Sequence, residues 1–266
     1  MKVWAVANQK GGVGKTTTAV NLAGHLVNRG QRVLLVDMDP HGSMTAYFGQ
    51  DPDMLEKSNY LLFQAPASEL ASTARKILMA TGVNGLSLLP ASTAMATIDR
   101  QLGAQKGKGL VLKQALQTLS DDFDHVMIDC PPLLGILMVN ALAACEHLIL
   151  PVQTEFLALK GLERMMHTLE MILKSRQGGL DYTIVATMYD KRTRAAQESV
   201  DMLRRLYREY LASTIIPIDT QFRDASKQGV PLSINHPKAR GSIAYQELLD
   251  ELHKGKVSHL RLVNNE

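Results

Sequence analysis

The stretch Asn8-Gln9-Lys10-Gly11-Gly12-Val13-Gly14-Lys15-Thr16-Thr17 lies between an apolar run, Val3 to Ala7, and a helical pattern that begins near Thr16. A strand that turns through small residues into a helix aims several backbone N–H groups, and the positive end of the helix dipole, at one point, where an anion is stabilised. Gly11, Gly12 and Gly14 permit the tight path. These features predict a phosphate-binding loop in which Lys15 reaches the β- and γ-phosphates of a nucleotide and the Thr16 hydroxyl ligates Mg²⁺. The usual spacing, G-x-x-x-x-G-K-[ST], needs glycine at position 9, but this chain carries Gln9 there, followed by a second lysine, Lys10.

Outward from the loop, strand-like runs alternate with helical patterns. Val3 to Ala7 is followed by a helix from about Lys15 to Arg29, then by Arg32 to Asp37, apolar and β-branched with an acidic end. Further strands are expected at Leu86 to Leu89, Val126 to Asp129, His147 to Val152, Tyr182 to Thr187 and Thr214 to Ile216. This rhythm predicts an α/β fold, a doubly wound and mostly parallel sheet flanked by helices. Ligands of such sheets bind at the carboxyl ends of strands, where Asn8, Asp37, Asp129 and Thr187 fall. The Pro- and Ser-containing segment Gln50 to Thr81 reads as a surface excursion with a short helix around Glu69 to Met79. Lys106-Gly107-Lys108-Gly109 reads as a loop before a helix from Leu110 to Leu119, and a last helix is expected from about Ser242 to Lys254.

At 266 residues the whole chain is expected to form a single domain, with a flexible tail from about 255 to 266. A formal charge of +3 permits a nucleic-acid surface without demanding one. Two cysteines, Cys130 and Cys145, and a start without a signal-like pattern point to a cytoplasmic setting. No run is long and apolar enough to span a bilayer, and the tail is too brief for stable membrane insertion.

Two acidic stretches follow strands. Asp37-Met38-Asp39-Pro40-His41-Gly42-Ser43 ends a buried strand with two carboxylates and a forced loop. Val126-Met127-Ile128-Asp129-Cys130-Pro131-Pro132 presents one carboxylate, Asp129, which can reach magnesium through water, while two prolines stiffen the loop after it. Cys130 is read as packing.

Lys10-Gly11-Gly12-Val13-Gly14-Lys15-Thr16-Thr17 resembles the deviant Walker A motif of the ParA/Soj/MinD ATPases, and the resemblance covers almost the whole chain. It implies a P-loop NTPase in which Gly11, Gly12, Val13, Gly14, Lys15, Thr16 and Thr17 cradle ATP with Mg²⁺. Lys10 matches the lysine that contacts the phosphates held by a second subunit, so ATP binding implies a face-to-face homodimer. Asp39 matches the carboxylate that orients the attacking water, and joins Thr16 and Asp129 around the metal. Lys10, Lys15 and Asp39 are thus the implied catalytic residues. The family form D-x-D-P-Q-G-N is altered here to His41 and Ser43, while Asp129 to Pro132 keeps D-x-P-P. Pro151-Val152-Gln153-Thr154-Glu155 is similar to the segment that starts a long helix at the dimer face, with mostly core spacing beyond it. Thr187-Met188-Tyr189-Asp190 and the loop starting at Pro217 lie near adenine in relatives, which implicates Met188 and Pro217. Arg192, Arg194 and Arg223 fall in segments that grip DNA phosphates in chromosome-binding relatives, although Gln221 replaces an expected arginine.

The resemblance implies slow ATP hydrolysis stimulated by a protein partner, either ParB-like or a polar chemotaxis protein. It also implies localisation at the cell pole or on the nucleoid. Asp39 to Thr45 and Arg223-Asp224-Ala225-Ser226 most resemble the ParC branch, which places chemotaxis clusters at the pole. The alternatives are chromosome or plasmid partition on non-specific DNA and, from another class, a metabolic or iron–sulfur ATPase of the same superfamily.

Overall fold

The apolar run before the loop forms β1, Lys2–Val6, an interior strand of the sheet. The computed structural model describes residues 1–98, 101, 107–173 and 179–254. The remaining strands are β2 (Val33–Asp37), β3 (Met79–Ala80), β4 (Leu86–Leu89), β5 (His125–Asp129), β6 (His147–Gln153) and β7 (Asp181–Thr187). They lie in the order β3-β4-β2-β5-β1-β6-β7. Every pairing is parallel except β3 with β4.

The central strands β2 and β5 are buried along their full length, as parallel strands covered on both faces must be. Side-chain alternation divides each strand between two apolar layers. Val3, Ala5, Leu34 and Val36 join a core beneath the helices Tyr60–Gln64, Leu70–Ile77, Val111–Gln117, Ile136–Ala144, Phe156–Leu173 and Arg194–Tyr207. Trp4, Val6, Val33 and Leu35 face the opposite way, against the helices Lys15–Asn28 and Arg240–His253. No helix among the described residues is long and apolar enough to cross a membrane.

Register places the chemistry. Val6 and Asp37 are both aligned with Asp129, so β1, β2 and β5 end flush at one edge. The expected strand Thr214 to Ile216 does not form. That segment touches the sheet edge at separate points, with Ile216 N donating to Ala186 O at 2.9 Å and bridges pairing Ile184 with Leu211 and Tyr189 with Pro217. Pro217 has no N–H to continue a ladder. The helix expected over Glu69 to Met79 is a 3₁₀ turn, Ala67–Glu69, then the α-helix Leu70–Ile77, and Met79 instead opens the edge strand β3. The helix expected from Leu110 is Val111–Gln117, entered by a 3₁₀ turn at Lys108–Leu110. Lys106 and the tail from 255 lie outside the described residues.

Candidate functional site

The glycine-rich loop leaves β1 and enters the helix Lys15–Asn28 through Gly14, whose φ of 89° is left-handed. Three hydrogen bonds fix the loop, two of them buried and made to neighbouring strands. Asn8 Nδ2 donates to Pro151 O at 2.9 Å, its Oδ1 accepts from Lys10 N at 2.9 Å, and Thr187 Oγ1 donates to Val13 O at 2.9 Å. Lys15 is buried along the loop with Nζ 3.5 Å from Lys10 O.

The two residues that depart from the usual loop both turn to the helix Phe156–Leu173. Gln9 Nε2 donates to Thr168 Oγ1 at 3.0 Å, and Lys10 Nζ forms an ion pair with Glu155 Oε1 of its own chain. The Lys10 stem crosses Gly161, where a Cβ would lie 3.5 Å from Lys10 Cβ. Sequence reading assigned Glu155 only to a dimer-facing segment. Its partnership with Lys10 spans 145 residues, and no local pattern announces it.

Beside the loop, Thr16 Oγ1 donates to Asp129 Oδ2 at 2.5 Å. Asp129 Oδ1 is buried and has no hydrogen-bond partner. Desolvation, reinforced by the Asp37 charge, raises the Asp129 carboxyl well above the ordinary carboxylate range. Asp37 is also pushed up by burial, to about 6. Asp37, the last residue of β2, and Asp39 in the loop after it have separate tasks. Asp37 spends both oxygens on its own loop, accepting from Asp39 N at 3.1 Å and from Thr45 N and Oγ1 at 2.8 and 2.7 Å. Asp39 is at the edge of the site, where its Oδ1 accepts from His41 N and meets His41 Nδ1 at 2.7 Å.

An orphaned buried carboxylate oxygen costs free energy that a cation would relieve. Among the described residues no group of three His, Cys, Asp or Glu forms a closed metal cage. One hydroxyl and one carboxylate, with positions left for water and phosphate oxygens, fit Mg²⁺ rather than a structural zinc.

On the other side of Gly14 and Thr17 opens a cleft of about 370 Å³. Met188, Ile216, Pro217 and Phe222 give it apolar walls, and Arg223 lies on its lining. Met188 is the one non-glycine residue with positive φ among the described residues, at 53°, and its carbonyl accepts from Thr154 Oγ1 at 3.3 Å. Met188 and Pro217 therefore line one cleft next to the loop.

The three arginines assigned to DNA differ in surroundings. Arg192 pairs with Asp190 and Arg194 with Glu198, both on the surface, whereas Arg223 belongs to the cleft. Cys130 and Cys145 are buried in the core beneath the helical layer and form no disulfide. Burial raises the Cys130 thiol well above its ordinary range, which agrees with a packing role.

A family described as the AAA domain matches residues 1–182. The chain is 34% identical over 252 residues to the sporulation initiation inhibitor protein Soj of Bacillus subtilis, covering 94% of this chain and 98% of that protein. It is 34% identical over 257 residues to the chromosome partitioning protein ParA of Caulobacter vibrioides, covering 95% and 94% respectively. A solved structure of cobyrinic acid a,c-diamide synthase from Mycobacterium smegmatis, with bound ATP analog and magnesium, has a TM-score of 0.81 and 35% identity over 96% of this chain and 95% of that one.

Proposed function

The chain belongs to the ParA/Soj/MinD-like AAA family of P-loop ATPases, and from that premise we propose that it is a Mg²⁺-dependent ATPase whose nucleotide state switches a homodimer that positions or segregates cargo inside the cell. The observation that carries this reading is the Thr16 hydroxyl bonded to Asp129, whose second oxygen is buried without a partner beside the phosphate loop.

In this reading, the backbone N–H groups of Gly11 to Thr17 and the start of the helix hold the phosphates, and Lys15 supplies the charge at their β and γ positions. Thr16 and Asp129 hold the metal side of the site, with Asp39 at its edge. Magnesium, when bound, neutralises charge on the transferred phosphoryl group. The second Asp39 oxygen, free of the His41 contacts, orients the attacking water, so Asp39 acts through position rather than through binding. Lys10 must leave Glu155 to reach a second subunit's phosphates. That exchange couples ATP binding to pairing. The adenine is expected between Met188 and Pro217.

Two readings of the cargo have support. The resemblance of Asp39 to Thr45 to the ParC branch favours polar chemotaxis clusters and a polar protein partner. The likeness to the chromosome partitioning protein ParA of Caulobacter vibrioides favours chromosome partition, with a ParB-like partner and DNA held by Arg192 and Arg194. ATP-dependent DNA retention that weakens with salt supports partition, and salt-independent or absent retention supports a protein matrix. The name of the Mycobacterium smegmatis structure keeps a metabolic ATPase in view. Product analysis with cobyrinic acid and an ammonia donor tests it.

Calorimetry tests the core of the proposal. Lys15→Ala is expected to lose measurable binding of ATP with Mg²⁺, and wild-type affinity in that variant would contradict the assignment of the loop.

A further inference from the structure

We propose that Arg223 is a nucleotide-binding residue whose guanidinium lies over the purine at the open side of the cleft. The proposal rests on the ATPase reading above and assigns a residue that sequence reasoning had directed to DNA.

Arg223 is exposed, yet its side chain has no hydrogen-bond or ion-pair partner among the described residues. Arg29, Arg32, Arg75, Arg192, Arg194 and Arg204 each pair with an acidic side chain. The acid nearest in the cleft wall, Asp219, is already used. Its Oδ1 accepts from Gln221 N and its Oδ2 from Gly241 N, both at 3.0 Å. These bonds fix the start of the helix Gln221–Gln228 against the helix Arg240–His253.

The neighbouring Phe222 is equally constrained. It stands edge-on to Tyr245 with ring centroids 5.7 Å apart, and it occupies space over Gly241 where a Cβ would come within 2.3 Å of its Cζ. Arg223 therefore lies on a rigid corner of a cleft with apolar walls, whose one lining acid has both oxygens engaged by backbone N–H groups. An apolar slot with a planar, unpaired cation on its lining suits an aromatic ring that the cation can cover.

The chemistry of the group defines its part. A guanidinium is flat, delocalised and weakly hydrated, so it stacks on a ring face at little desolvation cost. In the plane of the base it has only donors, which would match the O6 and N7 acceptors of guanine better than the donating amino group of adenine. Stacking makes no such distinction. Arg223 thus adds affinity for the nucleoside part of ATP and ADP alike, and the choice of adenine over guanine falls to the backbone of the cleft.

Titration calorimetry with Mg²⁺ tests this on wild type, Arg223→Ala, Arg223→Lys and Lys15→Ala, using ATP, ADP and inorganic tripolyphosphate. Arg223→Ala is expected to weaken ATP and ADP by a similar factor, about five- to tenfold, while tripolyphosphate binds as in wild type. Arg223→Lys restores only a minor part, because an ammonium cannot lie flat on the base. Lys15→Ala loses ATP and tripolyphosphate together. If it does not, the ATPase reading fails whatever Arg223 does. Unchanged ATP and ADP affinity in Arg223→Ala would overturn the proposal, as would equal weakening of tripolyphosphate, which would place the guanidinium on phosphate. Loss of DNA retention with unchanged nucleotide affinity would return the residue to the DNA surface. The side chain is exposed and unpartnered, so the variant should melt with the wild type.

Discussion

Lys10 and Gln9 are where the chain departs from an ordinary phosphate loop, and that oddity could be read directly from the sequence. Their partners could not, because Glu155 and Thr168, just before and within the helix Phe156–Leu173, lie far along the chain and meet the loop only after folding. The acidic pair shows the same limit. Spacing marked Asp37 and Asp39 together, but only the folded register shows that Asp37 is consumed by Thr45 while Asp39 stays at the edge. This division carries a prediction. Asp39→Ala should bind ATP with near wild-type affinity, since the loop's own contacts remain, yet hydrolyse it on the order of 10²-fold more slowly if the carboxylate orients water. Single-turnover kinetics measures this, and an unchanged rate would move water positioning elsewhere. The cleft beside the loop was signalled only through resemblance. Met188 and Pro217 are marked by backbone shape, for which the sequence has no side-chain signature.

At the scale of elements, most strands were legible because β1, β2, β5 and β6 are largely buried apolar runs, three of which end in a polar residue, Asp37, Asp129 and Gln153. The two failures are both at the margins of the sheet. β3 has only two residues, too few to show a period, and Thr214 to Ile216 has strand composition but reaches β7 at isolated points. Helix contacts were not legible either, and one of them fixes the phosphate helix. In Lys15–Asn28, Gly24 meets the short helix Leu232–Asn235 so closely that a Cβ would lie 2.1 Å from Ser233 Oγ and 2.7 Å from Pro231 Cβ. Gly24→Ala should therefore destabilise the fold by about 1–3 kcal/mol through overpacking, despite alanine's better helix propensity. Denaturant titration checks it. A stabilised variant would show that the two helices separate freely.

The molecule as a whole has a chemical edge, where the strands end at the phosphate loop, and an opposite edge built on Trp4, the only tryptophan of the chain. Trp4 packs against His125, His147 and His253 with ring centroids 5.5 to 5.8 Å away. Burial pushes His125 and His147 down to about 4. An unfolded chain takes up protons on these rings near 6.5, so between 6.5 and 4 the unfolded state binds more protons and stability falls as pH falls. Asp37, raised to about 6, acts in the opposite sense over about 4 to 6. Replacing both histidines with asparagine should flatten the acid-side loss of stability, by about 3 kcal/mol per histidine over the full span. Denaturation at several pH values, followed by Trp4 emission, reads this, and equal slopes in variant and wild type would exclude the histidines. At the other edge, the proposed exchange moves Lys10 from Glu155 to a second subunit's phosphates when ATP binds. Light scattering with Mg²⁺ tests it most directly. Wild type should be a dimer with ATP and a monomer with ADP, while Lys10→Ala should bind ATP and remain monomeric. A Lys10→Ala dimer with normal turnover, or a wild type whose mass ignores the nucleotide, would contradict the account.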